Sequence, residues 1–287
     1  MLGVAMLAIL AAGVLAAGWL VRIRQVPTTR AEDILRRIRQ ETLSASWGSD
    51  ASTLWYLTQD AEGQPVGYVV RTHRLIRDAY VGWTLVHLGA LLHTEAWSLD
   101  PSAAEGTYVA RILTRPVPDT EIVLTDGRVT VTQRRPSGTD QATAPPPANY
   151  IPEGLLHRVI AEVAASRAQA RFCTVWNNAA IDRGAVLFAP VTLTPAGDRI
   201  VRLQSRSLTA AVDDTYHLDA KGVVFRVDDN RSGTSTRLVE VRSLAKWFPE
   251  ILDVQRDLEG TSPQPPDDAH TDEPPPDLFR RFSRARL

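Results

Sequence analysis

The residues with chemistry to offer are few. Six histidines are present, at His73, His87, His93, His157, His217 and His270. None falls in an HExxH helix, and none shares metal-ligand spacing with a group of carboxylates. His87 and His93 flank an expected turn, which could bring them together on paired strands. Cys173 is the single cysteine, so neither an intramolecular disulfide nor a multi-thiolate metal site can form. Within "ARFCTVWNN" it reads as a small buried strand residue, with no base nearby in sequence to activate it. Asp213 and Asp214 adjoin on an expected strand, where successive side chains point to opposite faces. That is poor geometry for a general acid and base. No GxSxG, phosphate-binding loop or GxGxxG motif occurs. No metal, cofactor or catalytic residue is therefore expected, and the chain is read as a non-enzyme. A net charge of −1 supplies no basic field, and no basic stretch interleaved with aromatics lies on an expected sheet face. Nucleic acid is not an expected partner.

The elements that would position any site begin with an apolar run. Residues 2–21, "LGVAMLAILAAGVLAAGWLV", carry no charge. About 20 such residues span a bilayer as a helix. Trp19 near the end and Arg22 and Arg24 just after suit the interface. Residues 1–24 are thus expected to form a single transmembrane helix or signal anchor, with the bilayer as partner. The positive-inside rule applied to Arg22, Arg24 and Arg30 would put the body in the cytoplasm. A body rich in short strands, with no nucleotide motif, favours the extracytoplasmic side, and that side is the expectation.

Residues 25–257 read as a β-rich domain. Thr29 and Glu32 have capping-box spacing, and Ile34, Leu35 and Ile38 mark one face of a helix over 30–43. Strands follow in "STLWYLTQD", "PVGYVVRTH", "AYVGWTLVHL", "LLHTEAWSLD" and "GTYVARILTR". "EIVL" and "RVTVTQ" are joined at Asp126-Gly127, a tight-turn signal. Val129 and Val131 then alternate with Thr130 and Thr132, the period of a half-buried strand. Residues 136–152 are Pro-rich and read as a loop. Leu155, Leu156, Val159, Ile160 and Val163 mark a second amphipathic helix over 153–168. Six more strands lead to "STRLVEVRS". This layout suggests two helix-plus-strands halves, 29–135 and 150–245. Trp97, Leu99 and Asp100 of the first find an echo in Tyr216, Leu218 and Asp219 of the second. Trp247, Phe248, Ile251 and Leu252 are expected to pack a short helical piece onto the sheet, and Trp55, Trp83, Trp97, Trp176 and Trp247 to supply core area. Residues 258–287 read as a Pro/Asp-rich disordered tail ending in a basic peptide, a candidate contact for a protein partner.

The expected fold class is mainly β (α+β). A long curved antiparallel sheet of about 12 strands is covered by the two amphipathic helices. The hairpin "YHLDAKGVVFR" is a representative unit of such a sheet. Leu218 is expected opposite Val223, Tyr216 opposite Phe225, and Gly222 in the left-handed region. Together with "GQPVGYVV", this hairpin resembles those of the lipoprotein-carrier superfamily of half-open β-barrel envelope proteins, over residues 30–255. The resemblance implies a periplasmic domain that shields acyl chains or hydrophobic peptides. It brings no family-specific binding residues, and a fixed anchor departs from the soluble carriers and favours a stationary role. A groove between sheet and helix would draw its lining from Tyr68, Trp83, Leu85, Phe172, Trp176 and Phe188. The expected function is a membrane-anchored, non-enzymatic domain that binds lipid or another apolar ligand there. The alternative is a stationary scaffold subunit of a membrane-associated complex.

Overall fold

The computed structural model describes residues 27–44, 52–76, 79–99, 105–112, 119–177, 180–206 and 211–260. The expected anchor at 1–24 and the tail from 261 onward lie outside these residues. Among the described residues no helix is long and apolar enough to cross a membrane.

Strand β1 (Thr28–Thr29) and helix α1 (Ala31–Ser44) lead into a meander of β2 (Ser52–Gln59), β3 (Pro65–Ile76), β4 (Ala79–Leu88), β5 (Leu91–Leu99), β6 (Gly106–Ile112), β7 (Asp119–Thr125), β8 (Arg128–Arg135) and β9 (Gly138–Ala144). A 3-10 turn (Glu153–Leu155) runs into helix α2 (Leu156–Ser166). The second meander comprises β10 (Gln169–Thr174), the small hairpin β11 (Ile181–Asp182) and β12 (Ala185–Val186), then β13 (Ala189–Gly197), β14 (Ile200–Arg206), β15 (Ala211–Leu218), β16 (Val224–Asp229) and β17 (Ser235–Leu238). Helices α3 (Val241–Leu244) and α4 (Ile251–Gly260) follow.

Apart from the separate β11–β12 hairpin, both meanders and β1 belong to one sheet of 15 strands, joined where β17 pairs antiparallel with β2. This exceeds the expected dozen strands in part because the short β1 joins the sheet edge beside β10 and because a further strand forms after β8. Part of the Pro-rich stretch is itself a strand, because residues 138–144 pair with β8 from Arg135↔Gly138 to Val129↔Ala144. The prolines sit just beyond it, where no ladder N–H is needed. Residues 258–260, expected in the tail, complete α4.

So many twisted strands cannot stay flat, and the sheet curls. Its two ends are tied together after β9, where Ile151 N–H donates to the Cys173 carbonyl (2.9 Å) and Cys173 N–H to that of Asn149 (3.0 Å). The β11–β12 hairpin lies against β9 and β8. Inside the curl, α2 lays Leu156, Val159, Ile160 and Val163 into the core; their i, i+3, i+4, i+7 spacing makes one buried stripe. Each such side chain contributes roughly 1.5–3 kcal/mol of burial. The helix ends at Arg167, in the left-handed region at φ 53°. α1 packs beside α2, with Ile34 and Ile38 buried. Thr29 pairs with Ala170 in β1, so the expected cap is not formed there; the Arg30 carbonyl instead accepts from Asp33 and Ile34.

The convex face has its own apolar patch. Tyr68, Val70 and Leu85 are covered by Leu244 and Ile251 of the C-terminal helices, with the Phe248 ring 5.3 Å from that of Tyr68. Trp247 and Leu252, expected to pack here, point outward at 59% and 44% exposure. The α4 stripe runs through Ile251, Val254 and Leu258, which leaves its neighbour Leu252 on the solvent side.

The 216–226 hairpin differs from expectation by one residue at Leu218 and, beyond a bulge, by two at Tyr216. Leu218 pairs with Val224 and Tyr216 with Val227, with a bulge at His217/Leu218. A bulge sets two consecutive residues on one side, so Val224 is buried while Phe225 and Arg226 share the outer face with His217. Asp219 does initiate the turn, its Oδ1 accepting from the backbone N–H of Lys221 and Val223, and Gly222 has φ 78°. The echoed residues share a role, since Trp97, Leu99, Tyr216 and Leu218 are all buried in the concave core.

Candidate functional site

Sheet register assembles a polar group on the concave wall. Arg71 on β3 pairs with Thr84 on β4, and Thr84 with Glu95 on β5. Paired residues share a face, so the three side chains stand in a row. His93 and Trp97, two positions either side of Glu95, point the same way. Among the described residues, several buried polar atoms without a hydrogen-bond partner lie here, Thr84 Oγ1, His93 Nε2, Trp97 Nε1 and Glu153 Oε2, while others, such as His87 Nδ1 and Thr94 Oγ1, lie on the convex face. Native interiors leave few such atoms, and a cluster of them calls for a physical explanation.

Trp97 anchors the group. Its ring fits because glycines flank it: a Cβ at Gly82 would overlap the ring, and one at Gly154 would stand 2.8 Å from its Cγ. The Arg71 guanidinium lies over the same ring, 5.2 Å from its centroid, an attractive cation–π geometry. Arg71 is half-buried, and no carboxylate among the described residues lies within ion-pair distance of it. Its charge acts on the phenols of Tyr56, Tyr80 and Tyr216 on three other strands. Burial raises Tyr56 to about 12, with Arg71 partly offsetting the rise.

Beside this row sits a pair of acids. Asn177 Nδ2 donates to Glu95 Oε1 (2.9 Å) and to the Tyr108 hydroxyl (3.0 Å). Tyr108 lies between Glu95 and Glu153, and its one proton can serve only one carboxyl at a time. Burial first, and the nearby Glu95 second, push Glu153 well above the usual carboxylate range. The shift favours the protonated carboxyl, the form that can donate a hydrogen bond. His93 Nε2 is 3.5 Å from Glu95 Oε1, at the outer limit of hydrogen bonding. Thr120 Oγ1 donates to the Asn177 carbonyl at 3.0 Å and so fixes that loop to the wall.

Glu153 and Tyr108 also form the polar floor of a crevice walled by Leu99, Ile122, Leu124, Tyr150 and Val175. Its free space is about 10 Å³, room for about one water molecule.

A second buried acid faces inward farther round the sheet. Asp214 is pushed up to about 6, by burial and then by Asp229, and the Tyr216 hydroxyl donates to it at 3.3 Å. Its neighbour Asp213 points outward, where a two-pronged bond from Arg202 (2.8 and 2.6 Å) holds it well below the usual carboxylate range. The two aspartates do face opposite sides.

The six groove residues divide between the faces. Phe172, Trp176 and Phe188 pack in the concave core, where Trp176 Nε1 donates to Ser205 Oγ (3.1 Å) and Phe188 meets Tyr150 edge-on at 5.7 Å. Tyr68, Trp83 and Leu85 lie on the convex face beneath α3 and α4. The sheet itself separates the two sets. His87 and His93 separate likewise: His87 stacks against Tyr68 at 4.9 Å outside, while His93 faces Glu95 inside. Cys173 on β10 is half-buried, and burial raises its thiol.

Sequence inspection missed Arg71, Thr84, Glu95, Glu153 and Asn177. A signal was present, since Glu95 in "LLHTEAWSL" and Glu153 in "YIPEGLL" are charges set among apolar residues. Their convergence depends on strand register and on the return of residues 149–153 across the sheet, which no local pattern encodes.

No family model matches the chain, and no curated protein matches it. Among solved structures the chain is similar to the crystal structure of a β-barrel-like protein of a domain of unknown function, DUF1849, from Brucella abortus. Identity is 12% and the TM-score 0.46, over 66% of this chain and 96% of that one.

Proposed function

We propose that the protein is a non-enzymatic, membrane-anchored binding domain whose concave interior takes an amphiphile. The polar end of the ligand meets the Arg71–Thr84–Glu95 row, and its apolar end the crevice above Glu153 and Tyr108. The observation that carries this reading is the gathering of unpartnered buried polar atoms next to an apolar-walled crevice. Such atoms each cost about 1–3 kcal/mol when left unmet, and a ligand that meets them recovers that free energy on binding. An acyl chain enters by displacing the 3-10 turn at residues 153–155, because the crevice holds only about one water as it stands. The half-open barrel outline read from the sequence supports the same class of ligand, and the apolar run at 2–21 supplies the anchor. The domain faces the extracytoplasmic side.

Native mass spectrometry of the gently extracted full-length chain tests this. A bound lipid-sized adduct is expected; a bare mass, with a melting temperature unmoved by added lipid extract, would overturn it. The filled interior favours one rival, a stationary scaffold that holds a protein through its tail. Removing residues 261–287 would then abolish partner capture, whereas the binding-domain reading expects adduct formation to survive. A reporter fused at the C-terminus fixes the side of the membrane.

A further inference from the structure

Three groups on the wall, Arg71, Thr84 and Trp97, have a common character. Arg71 offers the donors of a guanidinium, Trp97 a single indole N–H, and Thr84 a hydroxyl, while Glu95 in the same row already accepts from Asn177. Among these three groups donors outnumber acceptors, and their one full charge is positive, with no carboxylate of the described residues within ion-pair distance. We propose that Arg71, Thr84 and the Trp97 indole form a subsite for an oxyanion, the carboxylate or phosphate head of the bound amphiphile. This rests on the reading of the interior as a ligand site.

Two features prepare the subsite. The Trp97 ring holds the guanidinium plane from one side, and close packing against Gly82 and Gly154 fixes the ring in turn. A planar fork held in place loses little freedom when it binds an oxyanion in two-pronged fashion. A cationic ligand would meet the Arg71 charge, and an uncharged alcohol would leave most of the donors unmet.

Calorimetric titration of the full-length chain in nanodiscs, with empty nanodiscs as blank, tests the assignment. The probes are hexanoate, hexyl phosphate, 1-hexanol and inorganic phosphate. Hexanoate and hexyl phosphate are expected to bind about ten- to a hundred-fold more tightly than hexanol. Arg71→Met should remove that advantage, with an unchanged far-UV circular dichroism spectrum and a cooperative melt showing that the variant is folded. Arg71→Lys should restore part of it, and Thr84→Val should lose part of it. Inorganic phosphate much weaker than hexyl phosphate assigns the subsite to a lipid head; equal affinities assign the same subsite to a free anion. Anions that bind no better than hexanol, or that are indifferent to Arg71→Met, would overturn the oxyanion subsite while leaving the ligand site in place. If no probe binds, both inferences fail.

Discussion

The sheet has an apolar cluster on each face, and they are built differently. On the convex side Tyr68, Val70 and Leu85 meet Leu244 and Ile251 under the C-terminal helices, an apolar contact between side chains. On the concave side the same strands present Arg71, Thr84, Glu95 and Trp97, and leave Thr84 Oγ1 and Trp97 Nε1 buried and unmet; on the convex face His87 Nδ1 and Thr94 Oγ1 are of the same kind, beside a larger apolar contact. Burial on the convex side stabilises the fold, whereas burial on the concave wall costs free energy that a ligand can return. Strands β3 to β5 therefore serve stability with one set of alternate residues and recognition with the other.

The largest effect that would sharpen this contrast is at the cap. Ile251→Ala should destabilise the protein by about 2–5 kcal/mol in a denaturant melt, because Ile251 is fully buried, and should leave ligand affinity alone. Next is the pH response of the concave acids. Asp214 is raised to about 6 when folded, against an ordinary value of 3.8. The native state therefore holds the proton longer than the unfolded chain does, and stability falls as pH rises from about 4 through about 6, by roughly 2–3 kcal/mol. Asp214→Asn should flatten that part of the stability profile. Glu153, also raised, acts with the same sign, and Glu153→Gln should weaken the loss of stability with rising pH. Thr84→Val is smaller: replacing an unmet hydroxyl by a methyl should leave stability unchanged or raise it by up to about 1 kcal/mol. A clear loss of stability would mean that the hydroxyl is satisfied in the free protein, and would erase the contrast between the faces. Smallest is Trp247→Ser, which should stay within about 0.5 kcal/mol, since Trp247 is mostly exposed.

How much of this was legible in the sequence follows from the range of each signal. The α2 stripe, the Asp126-Gly127 turn and the Val129/Val131 alternation are local patterns, and each element formed as expected: Asp126 and Gly127 both have positive φ, and both valines are fully buried. The bulge opposite His217 inserts one residue and so shifted the pairing read from the hairpin alone. The six aromatic and aliphatic groove residues were chosen by type, but type does not say which face of a curled sheet a residue occupies. Parity along β3 and β4 put half of them under α3 and α4. The polar row was least legible, because Arg71, Thr84 and Glu95 meet only through the register of three strands, and Glu153 reaches them by a long return of the chain.

The most direct test is the indole resonance of Trp97 in a ¹⁵N-labelled sample, assigned by its loss in Trp97→Phe and followed during titration with hexanoate. A saturable shift of the Trp97 N–H, with that of exposed Trp247 unmoved, is the expected result. A Trp97 resonance that stays in place while hexanoate binds elsewhere would contradict the claim that the concave wall is the ligand site.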